Sequence, residues 1–373
     1  MRLQLTILLA AWVAGQLPGQ GAHSHAAQRA IDFPDVPGYR TLACDLHIHS
    51  VFSDGSVWPD IRVQEAVRDS LDLISLTEHL EYQPHGADIP HPDRNRSYAL
   101  AEEYARPYGL LIAPGSEITR DMPPGHTNAI FISDGNKLLM EDPVAVFREA
   151  NQQGAFLFWN HPNWIAQRTD GVARLTDMHR QFIAEGLLHG IEVVNELTYS
   201  DEALQIALDH NLTIMGTSDI HGLVDWNFDI AGGGHRPVTL VLAEERSLPA
   251  IKAALFDRRT VVWHNNTLIG RAQHLQPLLE ASVGVTRAYY NGTSSVAVVE
   301  LTNRSDAEFV LLNQSGYRFH DDAGLVVLPP HGRTTVEVKT GEQLAAFELS
   351  FAVLNTVTAP GVNARLTLPV TVP

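Results

Sequence analysis

The sequence is poor in basic residues and in cysteine, and it has no apolar stretch of comfortable membrane-spanning length. Of 373 residues, 26 are Lys or Arg against 43 Asp or Glu, a formal charge of −17. Proteins that hold many phosphates do so with a Lys/Arg surface, so a nucleic acid polymer is not the expected partner. A small anionic substrate stays open, because a metal site brings positive charge of its own. Charged residues make up 18% and apolar residues 45%, the balance of a globular chain without long disordered tracts. Cys44 is the single cysteine, which rules out an intrachain disulfide and leaves burial to supply stability. Cys44 itself abuts "DLHIH" and is expected in the core. The main N-terminal apolar run, "LTILLAAWVAG", is too short for a bilayer. With Arg2 before it and small residues around Gly19–Ser24 after it, residues 1–24 read as a secretory signal and 25–39 as a linker. The protein is therefore expected to be exported, periplasmic or extracellular, with no transmembrane segment in the mature chain.

What is present is a recurring alternation. Short apolar runs, "TLACDLHIH", "LDLISLTEH", "GLLIAPGSE", "HTNAIFIS", "GAFLFWNHP", "GIEVVNE" and "LTIMGTSDIH", read as buried strands bounded by Gly, Pro or Asn. Helical patterns such as "PDIRVQEAVRDS", "SYALAEEYARPYG", "DPVAVFREANQQG" and "SDEALQIALDHN" lie between several of them. Strand and helix in alternation predict a parallel α/β domain over residues 40–272, and seven or so strands favour a closed TIM-like barrel. Beyond residue 275 the runs alternate polar and apolar with frequent turns, which predicts a β-sandwich over 275–373.

Five of the seven runs end in a potential metal ligand and one begins with one. These are His47 and His49, His79, Glu117, His161, Asp219 and His221, with His126 opening its run. Residues i and i+2 of a strand point the same way, so His47/His49 and Asp219/His221 each form a pincer. Asp54 follows in "SDG", a turn that folds it back. Strand C-termini of a parallel barrel open on one face, where such side chains converge; His126 fits if its strand is entered from that rim. Imidazole with carboxylate suits Zn, Mn or Fe better than Ca or Mg, which prefer oxygen alone. The His-x-His of "HSHAAQ" follows no strand and is read as incidental.

The ordered blocks "DLHIHSVFSDGS", "LTEH", "GSE", "GHTN", "NHP" and "SDIH" resemble the PHP superfamily, named after polymerase and histidinol phosphatase, over residues 43–270. The resemblance implies a distorted (βα)7 barrel, a site for three divalent transition metals and phosphoesterase chemistry. It implies one metal on His47, His49, Glu117 and Asp219, a second on Glu117, His126 and His161, and a third on Asp54, His79 and His221. Asp219 and His221 are then the residues expected to influence proton transfer as water attacks a small phosphorylated substrate. Glu78, where many relatives carry Asp, is expected to support rather than to ligate.

Arg94, Arg96, Arg120, Arg168, His235 and Arg236 lie in loops near these motifs and are candidates for holding a phosphate; a surface or salt-bridge role is the alternative for each. Trp164 and Trp226 are candidate pocket walls, with core packing as the alternative. Two other functions compete with the phosphoesterase. One is an amidohydrolase-like enzyme, disfavoured because no strand-end motif carries a lysine; the other is a non-catalytic binding protein, disfavoured because no ligand position is lost.

Overall fold

The structure, a computed structural model, describes residues 30–320 and 323–373. The expected secretory signal at 1–24 and part of the expected linker lie outside the described residues. The first part of the chain runs β1 (Arg40–Ile48), α1 (Pro59–Arg68), β2 (Leu73–Leu76), α2 (Arg96–Ala105), β3 (Leu111–Ile112), β4 (Gly115–Ile118), β5 (Thr127–Ile130), α3 (Pro143–Gln152) and β6 (Phe156–Trp159). It continues through α4 (Asp177–Ala184), β7 (Gly190–Asn195), β8 (Thr198–Tyr199), α5 (Asp201–Asp209), β9 (Thr213–Thr217), α6 (Val224–Phe228), β10 (Val238–Ala243), α7 (Leu248–Phe256), β11 (Thr260–His264), β12 (Thr267–Gly270) and α8 (Ala272–Ser282). Nine strands complete it: β13 (Val283–Tyr290), β14 (Val296–Asn303), β15 (Phe309–Asn313), β16 (Arg318–Phe319), β17 (Leu325–Leu328), β18 (Arg333–Lys339), β19 (Ala346–Val353), β20 (Thr356–Val357) and β21 (Ala364–Thr371).

Local chemistry places these elements. Strands such as β2 (LISL) and β6 (FLFW) are buried at every position, as strands covered on both faces must be. Helices α3, α5 and α7 start at Asp142, Ser200 and Ser247, whose side chains accept from backbone N–H groups of the first turn. Thr176 and His179 close a capping box at the start of α4. In β14 and β21 burial alternates residue by residue, the pattern of a sheet with one face on a core.

The closed, all-parallel (βα)7 barrel expected from the sequence is not formed. The strands make two sheets, ordered β20-β12-β11-β10-β1-β2-β3 and β4-β5-β6-β7-β8, with β9 added beside β7. Pairings β1/β10, β10/β11, β11/β12, β4/β5 and β5/β6 are antiparallel. One cause is local: the run "GLLIAPGSE" breaks at Ala113–Pro114, where proline has no N–H to continue the β2/β3 ladder. Single bridges, Ile48 with Ile220 and His79 with Glu117, join the two sheets. Thr239 and Thr260 fasten β9 to the first sheet by bonding the backbone of Gly216 and Ile214. Between the sheets lies a core of Leu42, Leu46, Phe156, Phe158, Met215 and Val241, with Cys44 fully buried among them as expected.

The C-terminal strands form two four-stranded antiparallel sheets, β13-β14-β18-β16 and β17-β15-β19-β21. Residues 275–282, expected to belong to the sandwich, are helical instead. Leu275, Leu278, Leu279 and Ser282 put a buried stripe on α8 at helical spacing. The two parts interlock: β20 pairs with β12, and Asn355 Nδ2 donates to the Asn266 and Glu308 carbonyls at 2.8 and 2.6 Å.

Candidate metal centre

One bridge joins two predicted ligands, His79 and Glu117, and the other, Ile48 with Ile220, joins the residues between His47/His49 and between Asp219/His221 and so sets those pairs side by side. His126 joins them because β5 runs antiparallel to β4 and β6, which places the residue just before it at the same rim as their ends. Asp54 is returned by the turn at Gly55. A side chain at Gly55 would begin 2.7 Å from Ser50 N, so only glycine allows this close approach. Asp219 and His161 adopt positive φ angles of 46° and 27°, backbone strain located at the site itself.

All nine predicted ligands meet. Asp219 Oδ1 lies 3.1 Å from Nε2 of both His47 and His49. Asp54 lies 3.2 Å from His221 and 3.4 Å from His79. Glu117 stands among His79, His126 and His161 at 2.7, 3.1 and 3.5 Å. Three groups have donor atoms mutually within 4.8 Å: His49/Asp54/His79/His221, His47/His49/Asp219 and His79/Glu117/His126. This division differs from the one the resemblance implies: His49 also joins the Asp54 group, His79 takes the place of His161 beside Glu117 and His126, and Glu117 is not in the His47/His49/Asp219 group.

The electrostatics fit cations. Burial alone would keep these imidazoles neutral, yet the carboxylates outweigh it: Glu117 and Asp54 raise His79 to about 10, and Asp54 and Asp219 raise His221 to about 9. His47 is likewise held above the usual range by Asp219, Glu192 and Glu117, whereas burial takes His49 down to about 3. Burial opposes ionisation of Glu117 and Asp219 too, and the surrounding histidines reverse it, holding both carboxyls well below their ordinary values. Asp54 Oδ1, Glu117 Oε2 and Asp219 Oδ1 are buried without a hydrogen-bond donor. Buried acceptors of this kind are costly unless something electropositive meets them. A mixed imidazole and carboxylate donor set is suited to divalent transition metals.

Several supporting residues escaped the sequence reading. Glu192 of β7, fully buried, bonds His47 Nδ1 at 2.8 Å, Thr217 Oγ1 at 2.6 Å and the His161 N–H at 2.7 Å. Asn195 donates to Glu192 and Asp219, and Asn160 donates to Glu117. Arg62 of α1 donates to the carbonyls of His49, Ile220 and His221 at 2.8, 3.2 and 2.9 Å, tying together the two ligand-bearing strand ends. The signal available in sequence was a Glu or Arg inside an otherwise buried pattern, which must be paired to persist. Glu78 accepts from Ser50 and Ser53 and so braces the His49 loop, the supporting role expected of it.

Seven of the ligands, Asp54, His79, Glu117, His126, His161, Asp219 and His221, line a pocket of about 200 Å³ together with Trp164, Asn195 and Glu196, while His47 and His49 are fully buried. None of the arginines proposed to hold phosphate lines it, and four of them have donors engaged elsewhere. Arg236 is fully buried in ion pairs with Asp45 and Asp69, and Arg120 pairs with Glu81. Arg94 donates to the Leu80 and His91 carbonyls, Arg168 to that of Arg174, and Arg96 is exposed at the start of α2. His235 stacks on Trp263, 3.4 Å between ring centres, away from the metal pocket. Trp164 packs over His126 and His161, as the wall role required, while Trp226 is largely exposed and does not line the pocket.

An α/β domain that gathers imidazoles and carboxylates in this way, with a β-sandwich attached, is that of a metal-dependent hydrolase. Comparison with known proteins narrows this. The Ig-like domain family model matches residues 283–369. A two-domain protein from Bacteroides vulgatus containing a predicted PHP-like metal-dependent phosphoesterase is 43% identical, covering 92% of this chain and 99% of its own, with a TM-score of 0.86. A metal-dependent phosphoesterase candidate from Bifidobacterium adolescentis is 17% identical over 48% of this chain and 88% of its own, with a TM-score of 0.38. An amidohydrolase from Chromobacterium violaceum is 15% identical over 48% and 87%, with a TM-score of 0.34. No argument rests on these last two. No curated protein matches the chain. The chain belongs to the PHP-like metal-dependent phosphoesterases, in the two-domain form that carries an Ig-like domain.

Proposed function

We propose that this protein hydrolyses a small phosphate ester at a site holding three divalent transition metals, Zn, Mn or Fe, and that it is exported through residues 1–24. The carrying observation is the meeting of nine ligand-type side chains from separate strand ends and one loop, seven of which line a pocket of about 200 Å³. Ions bound there would acidify a water and neutralise the phosphate oxygens. The pocket lining supplies no Lys or Arg, so charge neutralisation is left to the ions rather than to side chains. Three overlapping donor groups, sharing His49 and His79, support more than one ion. Glu117 reaches three imidazoles and is the natural bridging carboxylate. Asp219 and His221 border the pocket and are the groups placed to hold or pass a proton. Acidic charge and small volume favour a phosphorylated metabolite or nucleotide over a nucleic acid polymer.

The test is a phosphate-release screen over nucleotides, sugar phosphates, amino-alcohol phosphates and p-nitrophenyl phosphate, with metal content measured by elemental analysis. More than one metal equivalent per chain and metal-dependent phosphate release are expected. Protein that carries no metal after supplemented expression, or that releases phosphate from none of these esters, overturns the reading.

A further inference from the structure

A pocket of about 200 Å³ that must also hold the ions has room for a phosphate and little else. Sites that enclose a whole small-molecule ligand measure roughly 300–1,000 Å³. The alcohol portion of an ester bound there has to lie outside the pocket, against whatever surrounds its mouth. The mouth is apolar.

Of the eight large apolar side chains exposed on the described α/β domain, five stand at the pocket or beside residues that line it. Tyr82 meets the His79 ring edge to face, with centroids 5.8 Å apart. Trp164 covers His126 and His161 at 5.5 and 5.1 Å, and Ile165, 71% exposed, follows it in the loop after β6. Glu196 and Leu197 form the two-residue turn between β7 and β8. Leu197 is 67% exposed there, where turns ordinarily carry Gly, Asn, Asp or Ser. Trp226 of α6 is 74% exposed, and its Cε3 lies 3.4 Å from the point where a side chain on Gly222, the residue after His221, would begin.

Lone exposed apolar residues are ordinary, but a group of them around one polar opening marks a binding surface. The segments that carry the rim are also those that carry the lining. Tyr82 comes three residues after His79, Trp164 three after His161, Leu197 one after Glu196 and Trp226 five after His221.

The rim's composition selects the ligand. Three aromatic faces alone would suit a cation equally well. Ile165 and Leu197 offer no π face, and the property common to all five is apolar surface. A formal charge of −17 opposes docking on an anionic bilayer, which favours a single dissolved molecule over a membrane surface.

We infer that the substrate is amphiphilic: a phosphate ester whose alcohol is an alkyl or aryl group lying on the rim of Tyr82, Trp164, Ile165, Leu197 and Trp226. This deepens the phosphoesterase reading and rests on it for the position of the phosphate.

Two measurements on the full chain test it. Metal-loaded protein is assayed with methyl, butyl and hexyl phosphate, with glycerol phosphate and phosphocholine as polyol and cationic comparators. From methyl to hexyl phosphate kcat/KM should rise about tenfold or more, because each methylene laid on apolar surface leaves water. That hexyl-to-methyl ratio should fall about fivefold or more in L197S/W226S, which alters two exposed positions and should keep the native circular dichroism spectrum. No chain-length effect, a preference for glycerol phosphate or phosphocholine over hexyl phosphate, or an unmoved ratio overturns the inference. Saturation-transfer NMR with 1-hexanol, glycerol and choline reads the rim without hydrolysis. Transfer to 1-hexanol in preference to the other two, diminished in L197S/W226S, is expected; equal transfer in both proteins overturns the rim. Self-association of the wild type that the variant loses, measured by analytical ultracentrifugation, would assign the patch to a second copy and overturn it as well. Failure of the parent reading looks different: the wild type then releases phosphate from none of the esters, and the 1-hexanol result alone decides the rim.

Discussion

Oε1 of Glu192 lies 2.8 Å from Nδ1 of His47, and both side chains are wholly buried. The carboxylate accepts from Nδ1–H, which turns Nε2 toward Asp219 and His49 at 3.1 and 3.0 Å. A ligand histidine oriented in this way by a carboxylate is a stronger donor, and loss of such a support typically costs about 10- to 100-fold in metal affinity. Glu192→Gln is therefore expected to weaken metal binding by about that factor in a chelator competition. Unchanged affinity would show that His47 needs no such orientation.

Arg62 makes a different kind of support. Its guanidinium bonds Glu65 at 2.8 Å and three carbonyls on the two ligand strands. Arg62→Met strands Glu65 and those carbonyls, and breaking a buried pair from one side costs about 3–5 kcal/mol. Denaturant unfolding should show a loss of that order. Arg62→Lys keeps charge but not the fork, so it should retain more stability while still losing metal; equal metal content in the Lys variant and wild type would refute the clamp.

Asp219→Asn removes the carboxylate shared by His47 and His49. Hydrolysis of p-nitrophenyl phosphate should fall by more than about a hundredfold, the upper range for a merely supporting group, with the circular dichroism spectrum unchanged. Retained turnover in Asp219→Asn and in His49→Ala would sink the assignment of both as ligands.

Metal uptake should release protons. In the metal-free protein His79 and His221 are held up at about 10 and 9, so at pH 8 both carry protons that a cation must displace. Calorimetric titration of the stripped protein in buffers of differing ionisation enthalpy measures the number released. A value near zero would mean that these rings are already neutral.

Acid should destabilise the metal-loaded protein through histidines outside the centre. Burial holds His179 down to about 4, its Nε2 donating to the Pro124 carbonyl at 2.6 Å. Above pH 6.5 the ring is neutral folded or unfolded and its contribution is complete. As pH falls from 6.5 through 4 the unfolded chain takes up a proton that the folded one refuses, and on the order of 3 kcal/mol is lost. His79 and His221 have the opposite sign in the stripped protein: their contribution is full below pH 6.5 and fades as pH rises through 9 to 10. The melting temperature between pH 7 and 4.5 should therefore drop less in His179→Gln than in wild type, and an identical drop would rule His179 out as the sensor.

Ligand positions were legible because they depend on local periodicity and on strand ends, both written in short stretches such as "DLHIH" and "SDIH". His126 was legible only with an assumption about strand direction, which the antiparallel β4/β5/β6 pairing satisfies. Glu192 was not, since the first Glu of "GIEVVNE" looks like an outward residue until both faces of β7 are known to be buried. The arginines misled for a related reason. Adjacency to a motif says nothing of where a guanidinium finds acceptors, and Arg236 finds them in Asp45 and Asp69 behind the centre. Strand direction across the whole domain was equally hidden, because a helix between two strands, as with α7 between β10 and β11, does not force them parallel.

The pairing of β20 with β12 has a practical consequence. A fragment ending before Val283 would leave Leu268 and Ile269 on a naked strand margin, an invitation to edge-to-edge aggregation. The hydrolase portion is thus not a detachable cassette, and any ancestor that lacked the appended module must have finished its sheet differently.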